Sequence, residues 1–171
     1  MNKALSKLID KLIKNSTNKA ALAVIEKMFN NGIPFNLPHK FKFIELSDKK
    51  VQVRLPFIKK NKNHLGGIHA CATATLGEYT AGLSLIKIFG SSSHRLIMEE
   101  IHVNYIKQAK EELIGEVLID PNEVCRITDE LRDVRSSKMN IVTNILNKNL
   151  EVVAVVQTKW QLKCWDKVSF K

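Results

Sequence analysis

The 171-residue chain is long enough for one well-cored domain, and a composition of 44% hydrophobic and 26% charged residues excludes a disordered polymer. No apolar run approaches the roughly 20 residues of a bilayer span, and three scattered cysteines without a Cys-x-x-Cys pair exclude a disulfide scaffold or a zinc ribbon. The formal charge of +10 comes from dispersed lysines with only two Trp and two Tyr, which argues for a solvated basic surface or a phosphate-bearing small ligand rather than a nucleic-acid partner.

The pattern begins with Leu5, Leu8, Ile9, Leu12 and Ile13 alternating with Lys3, Lys7, Lys11 and Lys14. This is an amphipathic helix over 3–14, not the unbroken apolar stretch of a signal peptide, so retention in the cytoplasm is the expectation. A second helix is predicted over 18–30, started by Asn15-Ser16-Thr17, whose short polar side chains can accept from free backbone N–H groups. Gly32 and Pro34 end it, which makes residues 1–34 a helical extension ahead of a main domain over 35–171.

Phe41-Lys42-Phe43 begins a first strand, and Val51, Val53, Leu55 and Phe57 place one face of a second inward after a turn at Asp48-Lys49-Lys50. Pro56 lacks a ladder donor and puts this strand at an edge or at its end. A polar loop over 58–69 leads to a helix from Ala70 to about Phe89 that is small and apolar nearly all round, the character of a helix buried on every side. Strands follow at Ile101–Tyr105, Leu113–Ile119, Met139–Leu146 and Val152–Leu162. Asp120-Pro121 starts a short helix reaching about Arg132, and Asn147-Lys148-Asn149 forms a hairpin turn. One long buried helix among antiparallel strands gives an α+β domain in which a curled sheet wraps the helix, and its free edge invites a second copy.

Glu78 is the only formally charged side chain between Leu65 and Ile86. A carboxylate on a buried helix loses hydration, and its pKa rises toward the range of a base near neutral pH. Thr75, Tyr79, a strand backbone or a dimer contact could equally satisfy it as a structural group. Two imidazoles, His64 and His69, make a weak metal site, so none is expected. Ser84, in Gly82-Leu83-Ser84, lies inside a helix and lacks the second glycine of a nucleophile elbow.

The stretch Asn63-His64-Leu65-Gly66-Gly67-Ile68-His69-Ala70-Cys71-Ala72-Thr73-Ala74-Thr75-Leu76-Gly77-Glu78, with Tyr105-Ile106-Lys107-Gln108-Ala109-Lys110 downstream, resembles the signature of hotdog-fold thioesterases. The nearer likeness is to the phenylacetate-pathway type and the human acyl-CoA thioesterase relatives, over roughly residues 40–163. The resemblance implies a hotdog homodimer, or a dimer of dimers, that hydrolyses an acyl-CoA thioester with coenzyme A as part of the substrate and no other cofactor. It implies Glu78 as general base or nucleophile and Asn63, reaching from the other subunit, as the group orienting water or thioester. His69 becomes a positioning group, and the backbone N–H groups of Ala70 and Cys71 face the carbonyl oxygen. Gly66 and Gly67 would border the substrate, and Lys59, Lys60, Lys62, Arg132, Arg135 and Lys138 are surface contacts for its phosphates.

Two departures stand out. Ala70-Cys71 replaces the glycine pair that follows the histidine in the family, and the acid is Glu where nearer relatives carry Asp. Two alternatives remain: a non-catalytic binder of acyl groups, and a hydroxyacyl dehydratase pairing His64 with Glu78. The second lacks the Phe-Pro-Gly and Pro-Gly elements of that class.

Overall fold

A computed structural model describes residues 3–14, 16 and 19–168. Two helices open the chain, α1 (Lys3–Lys14) and α2 (Lys19–Gly32). Along α1, Ile9, Leu12 and Ile13 turn toward the core, while Lys7, Lys11 and Lys14 are exposed. The cap expected for α2 falls partly on residues 15, 17 and 18, outside the described residues. Ser16 itself serves α1, donating to the Ile13 carbonyl at 2.6 Å and lying 3.2 Å from the Leu46 carbonyl.

Six strands form one antiparallel sheet: β1 (Lys42–Leu46), β2 (Lys50–Leu55), β3 (His94–Tyr105), β4 (Leu113–Leu118), β5 (Ser136–Leu146) and β6 (Val152–Cys164). Their spatial order is β1-β2-β4-β5-β6-β3, so β1 and β3 are the edges. β2 is an inner strand and stops at Leu55, immediately before Pro56, where the ladder needs no further donor. β3 is twelve residues long, more than twice the expected Ile101–Tyr105. A register shift between Met98 and Glu100 moves the alternation by one residue, so Leu96 and Met98 belong with Ile101, Val103 and Tyr105 on the inner face, and period-two reading stops at the bulge.

The 20-residue helix α3 (Ala70–Phe89) lies across the concave face. Tyr79 stacks on Phe41 and Phe43, with ring centroids 4.8 and 6.0 Å apart, which fixes one flank against β1. Leu76 and Thr80 pack at Gly115 of β4, and Thr143 of β5 donates its hydroxyl to the Gly77 carbonyl at 3.1 Å. A Cβ at Gly77 would overlap Val156 of β6, so glycine here sets how closely helix and sheet approach. Contrary to the sequence expectation, α3 is not covered on every side. Cys71 is exposed, and Ala74, Thr75, Glu78 and Gly82 are half-buried, which leaves one stripe of the helix outside the core. Small side chains make this stripe look apolar, and the described residues cover it only in part, Trp160 lying close to Gly82.

The remaining helix, α4 (Pro121–Asp133), starts as its sequence suggests, with the Asp120 carboxylate accepting the Asn122 N–H at 2.9 Å and Pro121 in the first turn. Ile127 and Leu131 close a second apolar cluster with Leu85, Met139, Trp160 and Leu162. In the β5–β6 hairpin, Asn147 accepts through its side chain from the N–H groups of Asn149 and Glu151.

Candidate active site

Helix geometry decides where Glu78 faces. At about 100° per residue, Leu76 and Thr80 point to β4 and Gly77 to β5 and β6; Glu78 is carried a further step round, off the face that meets those strands. It is half-buried and makes no hydrogen bond or ion pair among the described residues. Burial pushes its carboxyl above the usual carboxylate range, with no positive charge beside it to oppose the shift.

Two turns toward the N-terminus, the loop Asn63–Gly67 is braced by Asn63. Its side-chain oxygen accepts from the N–H groups of Leu65 and Gly67 at 3.0 and 3.1 Å, and its amide lies 3.4 Å from the Ile68 carbonyl. Gly66 takes a left-handed backbone (φ 78°) and donates to the Asn63 carbonyl at 3.1 Å. Gly67 has no room for a side chain, since a Cβ would stand 3.0 Å from the Ala109 carbonyl. Both glycines therefore serve the turn.

His69 is the N-cap of α3. Its Nδ1 accepts the Cys71 N–H at 3.0 Å, which in the neutral ring leaves the proton on Nε2. The Cys71 N–H is thus engaged inside the chain, whereas that of Ala70 has no partner among the described residues. Tyr105 donates its hydroxyl to the Ala70 carbonyl at 2.9 Å, tying the end of β3 to the first turn of α3. Sequence reading gave Tyr105 no role because 35 residues separate the pair.

Asn63, Ala70, Thr73, Tyr105 and Gln108 line one cavity of about 250 Å³, walled by Ile68, Leu113, Val153 and Ala154. The structure thereby brings together Asn63 and Ala70, with Glu78 about 12 Å further along the helix by its rise of 1.5 Å per residue. The basic residues are dispersed. Lys62 stacks its ammonium 3.7 Å above the Phe57 ring, Arg135 pairs with Asp166 at 2.6 Å and Lys138 pairs with Glu99 at 2.8 Å. Arg135 and Lys138 stand at the His94 end of β3, opposite the Ala70 end of α3 within one chain. His64 is exposed in the turn and has no hydrogen bond to Glu78. No group of three or more His, Cys, Asp or Glu able to hold a metal occurs among the described residues.

A curled antiparallel sheet around a long helix, with a half-buried carboxylate on the helix's open stripe, defines a hotdog-fold domain. The chain belongs to the family described as a domain of unknown function (DUF4442), whose model matches residues 22–162. No protein of curated function matches it. Solved structures share the fold. One is a Pseudomonas aeruginosa protein of unknown function described as a probable thioesterase, with 22% identity and a TM-score of 0.75 over 83% of this chain and 95% of that one. Another is a variant of a Staphylococcus aureus thioesterase, with 17% identity and a TM-score of 0.63 over 77% and 99% of the two chains. A third, a variant of a further Pseudomonas aeruginosa thioesterase, has 8% identity and a TM-score of 0.65 over 81% and 91%. No described helix is long and apolar enough to cross a membrane.

Proposed function

We propose that the protein is an acyl-CoA thioesterase-like hydrolase working as a homodimer, with Glu78 as general base on water or as nucleophile on the thioester. The observation that carries this reading is a desolvated, unpartnered carboxylate on the one stripe of α3 that its own sheet leaves open. As base, Glu78 takes a proton from water as the oxygen adds to the thioester carbonyl. As nucleophile it forms an anhydride that water then opens. In both routes the thiolate leaves and is protonated.

The carbonyl oxygen is best served by the free Ala70 N–H at the positive end of α3, and because about 12 Å of helix separates Ala70 from Glu78, the two would meet one thioester across the dimer seam, from different subunits. The Cys71 N–H joins it only if His69 gives up its cap, so one donor rather than two stands ready. Asn63 orients the substrate from the cavity wall, or from the other subunit, at the cost of its long bond to Ile68. Homodimerisation through β3 is supported by its exposed inner face, where Ile101 and Tyr105 are 42% and 49% accessible. Antiparallel pairing of two β3 strands about a two-fold axis sets the His94 end of one beside the Tyr105 end of the other. Arg135 of the partner subunit then approaches the Ala70 end of this chain, as phosphate recognition requires. Pairing of dimers into a tetramer is compatible with this arrangement.

A non-catalytic acyl binder is the second reading, and the occupied Cys71 N–H favours it. The test is release of free thiol from short-, medium- and long-chain acyl-CoA by the purified protein beside Glu78→Gln. Turnover lost in the variant supports the hydrolase. Ligand-dependent melting without turnover supports the binder. A 2,3-enoyl product from a 3-hydroxyacyl substrate would transfer Glu78, with His64, to dehydration.

A further inference from the structure

A second concavity, of about 460 Å³, lies at the opposite end of α3, lined by Lys14, Asp48, Lys87, Ile88, Ile119, Pro121 and Val124. Its charged base is unusual. The Lys87 side chain is only 7% exposed, yet its ion-pair partner Asp48, at 3.3 Å, is 93% exposed. Nζ donates to the Ile13 carbonyl at the end of α1, also at 3.3 Å. An ammonium has three donors and Lys87 commits one, in a long bond to Ile13, while Asp48 lies beside it as an ion pair without a hydrogen bond, so a buried cation is reached from solvent by a weakly held carboxylate.

The other groups around it are accounted for. Lys14 is exposed and makes no ion pair among the described residues, so it adds a second positive charge at the mouth. Asp120, ahead of the first turn of α4, is engaged by the Asn122 N–H, and Glu123 by Arg126. The rest of the lining, Ile88, Ile119, Pro121 and Val124, is an apolar wall.

We propose that this cavity binds a small monocarboxylate with an apolar tail, its carboxylate replacing that of Asp48 on Lys87 and its tail lying along Ile88, Ile119 and Val124. Asp48 is the protein's own carboxylate in this position, and its exposure means that displacing it uncovers no buried charge. The wall selects against a fully hydrated anion such as phosphate, which gains nothing from apolar contact. The site stands apart from Glu78 and does not depend on hydrolysis there.

Calorimetric titration of the full chain with sodium octanoate tests the assignment, with butanoate, octylamine and inorganic phosphate as comparisons. Saturable octanoate binding is expected, weaker for butanoate by about tenfold or more as four methylenes leave the wall. Asp48→Asn removes the competing carboxylate and should tighten octanoate about threefold or more, while Lys14→Gln weakens it by a similar factor. Lys87→Gln should weaken it about tenfold or more. If Lys87→Gln fails to fold, the first two variants, both at exposed side chains, still decide. The proposal is overturned by octanoate that does not saturate below about 10 mM, by phosphate or octylamine binding as well as octanoate, or by an affinity indifferent to Asp48→Asn and Lys14→Gln. That last pattern is the one binding on the open stripe of α3 would give.

Discussion

The two edges of the sheet are finished in opposite ways. β1 is five residues long, irregular between Phe43 and Glu45, and roofed by α2, whose Glu26 accepts the Phe43 N–H at 3.0 Å and the Lys42 ammonium at 2.8 Å. Its unpaired backbone is thus partly satisfied by the chain itself. β3 is twelve residues long and paired only to β6, with Ile101 and Tyr105 open on its inner face. α2 protects one edge, and the other lies open, where the proposed second copy would pair. The lesson concerns the proposed dimer: there a second copy on the open edge would also supply the layer missing over the half-buried carboxylate, so that edge and site become one feature.

The largest effect that would sharpen this contrast is on activity. Glu78→Gln should lower thioester hydrolysis by about 100-fold or more, the scale of a lost general base, while circular dichroism stays unchanged. Wild-type rates should rise with pH through a value above the ordinary glutamate range, because burial favours the protonated acid. A variant retaining full turnover would detach the chemistry from the open stripe.

Next comes the open edge itself. Ile101→Lys puts a charge on the face that a second copy would bury, and should weaken dimerisation about tenfold or more, read by light scattering at graded concentrations. Hydrolysis should fall with the dimer fraction. The same substitution would leave mass and activity unaltered if the edge is free in solution.

The closed edge should respond differently. Glu26→Ala removes the acceptor for the Phe43 N–H and should cost about 1–2 kcal/mol in urea unfolding with no change in oligomeric mass. A monomeric product would erase the distinction between the edges.

The smallest effect concerns stability against pH. With its folded value raised, Glu78 contributes stability that is complete below the unfolded glutamate value and is lost as pH rises through the folded value. Glu78→Gln has no such loss. The two proteins should therefore melt together in acid, and the variant should melt higher once pH has passed the folded value of Glu78. Parallel curves at every pH would mean that water already solvates the carboxylate.

Much of this molecule was legible residue by residue, and the failures have physical causes. The α4 start was readable because Asp120 and Pro121 act within one turn, as was the β5–β6 turn, where Asn147 bonds to its own neighbours. β3 was read at less than half its length because a bulge breaks a two-residue period without leaving a turn residue behind. The α3 stripe was misread as buried because Ala74, Thr75 and Gly82 look the same in sequence whether a neighbour covers them or not. Tyr105 at the helix start and Asp48 at Lys87 join residues 35 and 39 positions apart, and no local pattern reports such pairs.

By itself the sequence determined the elements and the single acid at position 78, because backbone periodicity, capping and the absence of other charges are local properties of the chain. Only the tertiary structure decided which face of α3 stays open, which donors at its start are already engaged and which edge is roofed. Those follow from the order in which strands lie side by side, which depends on contacts between residues far apart in the chain.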